Sequence, residues 1–163
     1  MVMEQLDELY RDVILDHFKS PRHSGELADA QIKAEGSNPL CGDELIFHLK
    51  LEGGHIRYVR FHCKGCAISQ AAASMLSGAL EGKSMEEADR VIEAMKGLMQ
   101  GREPDAAVDL GDLEALAGVR KFPVRVKCAA LSWNVIEQGL ADYRNTNRVD
   151  TRPKTQDPRI EKT

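Results

Sequence analysis

The chain is short of several features that would assign its class at once. Its 163 residues hold only four cysteines, too few for the disulfide framework of a small secreted scaffold. The opening Met-Val-Met-Glu-Gln-Leu-Asp-Glu is acidic and has no apolar core, so no signal peptide is expected. No apolar run approaches the ~20 residues of a membrane span, which excludes a membrane partner. There is no internal repeat and no nucleotide-binding glycine loop. Basic surface is also scarce, with 22 Lys+Arg against 26 Asp+Glu for a net charge of −4. From Arg144 onward six basic residues face three acidic ones, a tail of +3 that leaves the body at −7. An acidic body does not displace counterions from a phosphate backbone, so nucleic acid is excluded as a partner. The tail, residues 144–163, has no aromatics for base stacking and reads as a disordered basic extension. One domain over 1–143 in a reducing cytoplasm is the expectation, and there clustered cysteines signal metal or redox chemistry.

What is present reads as an α+β fold. A helix is expected from Glu4 to Lys19, with Leu6, Tyr10, Val13, Ile14 and Phe18 at helical spacing and Ser20-Pro21 ending it. His17 and His23, near that end, are expected to be solvated or capping. Residues 30–37 suggest a short strand. Residues 43–51 alternate strictly, with Leu45, Phe47, Leu49 and Leu51 on one face and Ile46, His48 and Lys50 on the other. Glu52-Gly53-Gly54 is a hairpin turn, and 55–63 returns with Arg57, Val59, Phe61 and Cys63 sharing a face. Helices are expected over 67–80, from Ser84 with a Ser84/Glu87 capping box, and from Ala129 onward. Residues 101–120, glycine-containing and acidic, read as an inserted excursion outside the core. The whole is a three-stranded antiparallel sheet packed on helices, with a candidate metal site at one end.

That site rests on Asn38-Pro39-Leu40-Cys41-Gly42-Asp43-Glu44. Pro39 sets a turn and Gly42 tolerates unusual backbone angles, so Cys41 and Asp43 are able to face a common centre. The hairpin returns Lys64-Gly65-Cys66 to the same end. Cys66 is expected at a helix N-terminus, where free amides favour a thiolate, and Cys128 at a second one. Three thiols and a carboxylate at such positions suit Zn²⁺ or iron–sulfur chemistry. A competing set takes Cys63 and Cys66 as a C-x-x-C pair with Cys41 and Cys128. Against it, Cys63 follows Val59 and Phe61 onto a packed face, where a free cysteine serves as a small hydrophobe.

Four segments carry a resemblance that covers nearly all but the tail: LYRDVILDHFKSPRHSGEL (9–27), NPLCGDEL (38–45), GCAIS (65–69) and FPVRVKCAALSW (122–133). Through them the chain resembles the IscU/NifU-type iron–sulfur assembly proteins, and most closely the SufU branch. The resemblance implies that Cys41, Asp43, Cys66 and Cys128 bind one Zn²⁺, and that Cys41 accepts persulfide sulfur from a SufS-type cysteine desulfurase for downstream cluster-assembly proteins. It also marks 101–120 as a SufU-type insertion. Scaffold members carry histidine where this chain has Lys127, and Leu-Pro-Pro-Val-Lys where it has Phe122-Pro123-Val124-Arg125. Both departures favour zinc-dependent sulfur transfer over cluster scaffolding. Arg125 and Lys127 flank the site and offset its negative charge. The reading from another class is a structural zinc module that acts as an interaction protein.

Overall fold

In the computed structural model the backbone is described for residues 2–151 and the side chains for 8–146. The elements run α1 (Val2–Lys19), β1 (Ile32–Asn38), β2 (Asp43–Glu52), β3 (His55–Lys64), α2 (Ala67–Leu80), α3 (Met85–Met99), a 3-10 helix (Gly111–Val119) and α4 (Pro123–Thr151). The strands form one antiparallel sheet in the order β1-β2-β3. Gly53 and Gly54 turn between β2 and β3 with φ of 60° and 80°, the left-handed pair that a tight hairpin requires. Leu45, Phe47 and Leu49 from β2 and Val59 and Phe61 from β3 are buried together. Helix α2 packs over β3 and α4 over β1, while α1 and the 3-10 helix lean on α2. Close approach of α4 depends on missing side chains: a Cβ at Gly139 would sit 2.8 Å from the Ala34 Cβ. Among the described residues no helix is long and apolar enough to cross a membrane.

The β hairpin, α2 and α3 follow local rules. Ser84 caps α3 with the full reciprocal box, accepting from Glu87 N–H while the Glu87 carboxylate accepts from Ser84 N–H. Elsewhere tertiary context corrects the sequence reading. Arg57 is exposed and Ile56 buried, because a bulge at Lys50/Leu51 shifts the register and moves the inward position by one residue. His48, expected on the outer face, is covered by the 20–31 connection, and its Nδ1 accepts from Leu27 N–H at 2.9 Å.

On α1 the inward stripe runs Tyr10, Val13, Ile14 and His17, whereas Phe18 lies at its exposed margin. The expected Leu6 falls outside the described side chains. His17 is therefore neither solvated nor capping. It is buried, with Nδ1 2.8 Å from the Ser74 hydroxyl and Nε2 2.8 Å from the Asp112 carboxylate. Asp112 belongs to the segment expected to lie outside the core, and that expectation is corrected too. Leu110, Leu113, Leu116 and Val119 are all buried. Their spacing of three is the period of a 3-10 helix and not of an α-helix, so one face turns inward despite the acidic neighbours.

Pro123 does not end a loop but starts α4, at the first helical position where its missing N–H costs nothing. Cys128 consequently sits in the second turn of α4, not at its start. The same helix runs on through Thr151, so 144–151 is helical instead of a disordered extension, and Arg144 forms paired hydrogen bonds of 3.2 and 2.9 Å to Asp89 on α3. Residues 152–163, the rest of the expected tail, lie outside the described residues.

Candidate metal centre

Asn38 closes β1 opposite Asp43, which opens β2, so residues 39–42 are a tight connection between paired strand ends. The Asn38 carbonyl accepts from Cys41 N–H at 3.1 Å and Gly42 N–H at 2.8 Å. Gly42 takes φ 73°, a left-handed angle that directs the two flanking side chains to one side of the loop. Asp43 is fully buried, and its Oδ1 accepts from Cys66 N–H at 2.8 Å. The register Glu44↔Lys64 delivers that amide, placing Gly65 and Cys66 directly beyond the Asp43 end of the hairpin. A Cβ on Gly65 would run into the Asp43 carboxylate, so only glycine leaves room for this approach.

Cys66 is the N-cap of α2, with φ −74° and ψ 169°, and its sulfur accepts from Ser69 N–H at 3.5 Å. Its Sγ lies 3.9 Å from Asp43 Oδ2. Cys128, buried on α4, brings its Sγ to 3.0 Å from Cys41 Sγ. Ligand atoms of Cys41, Asp43 and Cys128 lie within 4.8 Å of one another. Cys66 stands just outside that trio, joined to it through Asp43. Cys63 is half-buried on β3 and also lies outside the trio, with its Sγ 3.7 Å from the Ser69 hydroxyl.

The electrostatics of this end are one-sided. Burial, then hydrogen bonds from Cys41 and Cys66, then the negative charges of Cys66 and Asp43 push the Cys128 thiol far above its ordinary value. Burial pushes Cys63 up to about 11, with Asp43 and Cys66 adding to the rise and a Ser69 hydrogen bond opposing it. Thiols and a buried carboxylate thus crowd one another, an arrangement that a cation would relieve. Sulfur and carboxylate donors converging from a loop, a strand end and two helices fit a tetrahedral Zn²⁺ set, in which Cys41, Asp43, Cys66 and Cys128 would be the ligands.

The sequence reading missed the surface around this centre. Leu40 is 75% exposed, Phe122 52% and Val124 59%, all within four residues of Phe122 or beside Cys41. Arg125 and Lys127, already placed beside the site by the sequence, are exposed within the first five residues of α4. Large apolar residues inside otherwise polar cysteine motifs were the available signal. Ser69 was missed as well, although its place three residues after an N-cap predicts an amide aimed at the cap.

Comparison with known proteins gives the same picture. Residues 9–129 match the model for the NifU-like N terminal domain. The zinc-dependent sulfurtransferase SufU of Bacillus subtilis is 46% identical over 142 residues, 87% of this chain and 96% of that one. The iron–sulfur cluster assembly scaffold protein IscU of Streptococcus pyogenes is 38% identical over 149 residues, 91% of this chain and 93% of its own. Among solved structures, a candidate SUF-system scaffold protein from Fervidobacterium islandicum superposes with a TM-score of 0.74 at 34% identity, over 78% of this chain and 93% of that one. The chain belongs to the NifU-like N-terminal domain family, on its SufU branch.

Proposed function

We propose that this chain is a zinc-dependent sulfurtransferase of iron–sulfur cluster biogenesis, taking persulfide sulfur from a SufS-type cysteine desulfurase on Cys41. The observation that carries the reading is the convergence of Cys41, Asp43 and Cys128, with Cys66 bonded to the same carboxylate. Zn²⁺ held by Cys41, Asp43, Cys66 and Cys128 would keep these thiols deprotonated at neutral pH. The chain supplies the rest. Cys66 is fixed by its capping role and Cys128 by the interior of α4, whereas Cys41 rides on a four-residue connection. Cys41 is therefore the thiol free to leave the cluster. Its thiolate attacks the outer sulfur of the desulfurase persulfide. One S–S bond forms at Cys41 as the donor's S–S bond breaks, and the electron pair departs with the donor cysteine, so no external oxidant or reductant is needed.

The exposed Leu40, Phe122 and Val124 supply apolar area for a protein partner next to the reacting thiol, and Arg125 and Lys127 add positive charge there. The working domain extends past residue 143 along α4, with 101–120 as its SufU-type insertion and sulfur passing on to downstream cluster-assembly proteins. The scaffold reading draws on the IscU relatives, but Lys127 occupies the scaffold histidine position as an exposed cation that is a poor metal ligand. The structural-zinc reading is disfavoured by the extent of the apolar core, which packs the sheet and helices without help from a metal.

Incubation of the zinc-loaded chain with a cognate desulfurase and cysteine tests the proposal. The expected result is many-fold faster desulfurase turnover with a persulfide on Cys41 by mass spectrometry, and no label in Cys41→Ser. An inert zinc form that instead builds a stable, transferable cluster on the same cysteines would establish the scaffold reading. A label on Cys66 or Cys128 would leave sulfur transfer standing and overturn the role of Cys41.

A further inference from the structure

Ser69 and Cys63 have no place in the proposed ligand set, yet both are aimed at it. The Ser69 hydroxyl is buried between two sulfurs, 3.7 Å from Cys66 Sγ and 3.7 Å from Cys63 Sγ, and it donates to the Cys66 carbonyl at 3.0 Å. The Ser69 amide donates to the Cys66 sulfur as well. In this arrangement the amide is the donor to the Cys66 sulfur, while the hydroxyl proton goes to the Cys66 carbonyl and the hydroxyl oxygen accepts from the Cys66 thiol.

A hydroxyl has one proton to give and two lone pairs to receive. A ligating Cys66 sulfur has no proton to offer the hydroxyl and gains from every donor directed at it. Turning the Ser69 proton from the Cys66 carbonyl to the Cys66 sulfur leaves nothing orphaned, because that carbonyl also accepts from Gln70 N–H at 3.1 Å. The vacated side of the oxygen already faces the Cys63 thiol. Gly65 keeps the space open, since a Cβ there would come within 2.9 Å of the Ser69 hydroxyl. Ser69 is the buried serine nearest the start of α2, and Cys63 pairs with the apolar Leu45 on β2.

We propose that Cys63 and Ser69 form a hydrogen-bond relay, Cys63 S–H to Ser69 Oγ and Ser69 O–H to Cys66 Sγ, that positions the Cys66 sulfur in the metal centre. Both are positioning residues and neither is a ligand. The inference rests on Cys66 being a ligand, as in the function proposed above.

The test reads metal binding and not turnover. Zinc affinity is measured by chelator competition, and the thiolate-to-metal charge-transfer band is recorded on Co²⁺-loaded protein. Ser69→Ala is expected to weaken zinc by about 10- to 100-fold, the usual effect of removing a group that orients a ligand, and to shift the Co²⁺ band. Cys63→Ala should give a smaller loss in the same direction, and Cys63→Ser, which keeps a donor, should restore wild-type values. The Ser69→Ala/Cys63→Ala pair should be no weaker than Ser69→Ala alone, because a broken relay cannot be broken twice. Unchanged affinity and band in Ser69→Ala, or additive losses in the pair, would overturn the relay. Should Ser69→Ala fail to fold by circular dichroism, equal affinities for Cys63→Ala, Cys63→Ser and wild type overturn it instead. Retention of full Co²⁺–thiolate intensity in Cys66→Ala would remove the ligand assignment on which the relay depends, a distinct failure.

Discussion

Two polar clusters in this molecule resolve their hydrogen-bonding needs in opposite ways. In the first, the Ser74 hydroxyl accepts from Arg22 N–H at 2.9 Å and its oxygen lies 2.8 Å from His17 Nδ1, while His17 Nε2 faces the Asp112 carboxylate. The pairing that satisfies every group has Ser74 donating to Nδ1 and Nε2–H donating to Asp112. Donors and acceptors balance inside the chain. In the second, Cys41, Asp43, Cys66 and Cys128 bring acceptors and thiols against one another, met by the amides of Cys66 and Ser69. A balanced cluster fastens elements together. An unbalanced one calls for completion from outside, which is the basis for proposing this end of the fold as the metal site.

The most damaging way to break the contrast is to remove a proposed ligand. Cys128→Ala, Asp43→Ala, Cys66→Ala and Cys41→Ala are each expected to lose stoichiometric zinc and sulfur transfer, read by elemental analysis and desulfurase activation. Cys63→Ala should purify with one zinc per chain. Loss of zinc in Cys63→Ala with full retention in Asp43→Ala would reverse the choice of fourth ligand.

Breaking the balanced cluster should instead cost stability while sparing the metal. His17→Ala strands the Ser74 hydroxyl and opens a cavity between α1, α2 and the 3-10 helix. The expected loss is about 2–4 kcal/mol by urea denaturation, with zinc content unchanged. Zinc loss in His17→Ala with wild-type stability would show that the two clusters are not independent.

Chelation and pH sharpen the comparison with smaller effects. The metal-free chain should keep its helical circular dichroism signal, because the buried core does not include the metal loop. Its thiols at positions 63 and 128 are held in the neutral form, Cys63 up to about 11 and Cys128 also raised. Unfolded thiols ionise first, near the reference value of 9.0. The unfolded chain therefore binds fewer protons in that window, and stability falls as pH climbs from about 9 toward 11. Thermal melts of the metal-free protein should drop across that range, and less so for Cys63→Ala. A melting temperature that rises with pH there would contradict the burial of these thiols.

Much of this was legible in the sequence wherever the rule is local. The hairpin, the Ser84/Glu87 box and the Cys66 cap each depend on residues within a few positions of one another, or on strict alternation. Cys41 and Asp43 were legible because one glycine turn orients both. His17 was not, since its partners lie 57 and 95 residues away along the chain. The burial of Leu110, Leu113, Leu116 and Val119 was hidden by acidic neighbours and by a spacing of three that an α-helical period does not match. Cys128 was misplaced by one and a half turns because Pro123 was taken for punctuation when it is a helix start.

The β2–β3 hairpin also sets an order of events during folding. Asp43 and Cys66 meet through a two-glycine turn and a ladder of pairs close in sequence, whereas Cys128 comes from a helix that begins 57 residues after Cys66. Contacts local in sequence have the smaller loop-closure cost and form early. Half of the metal centre should accordingly exist in the folding transition state, with the last thiol arriving as α4 docks. In a chevron series, Phe47→Leu in the hairpin should mainly slow folding, while Ile136→Val in α4 should mainly speed unfolding. The opposite assignment of rates would mean that α4 docks first and the hairpin closes onto it.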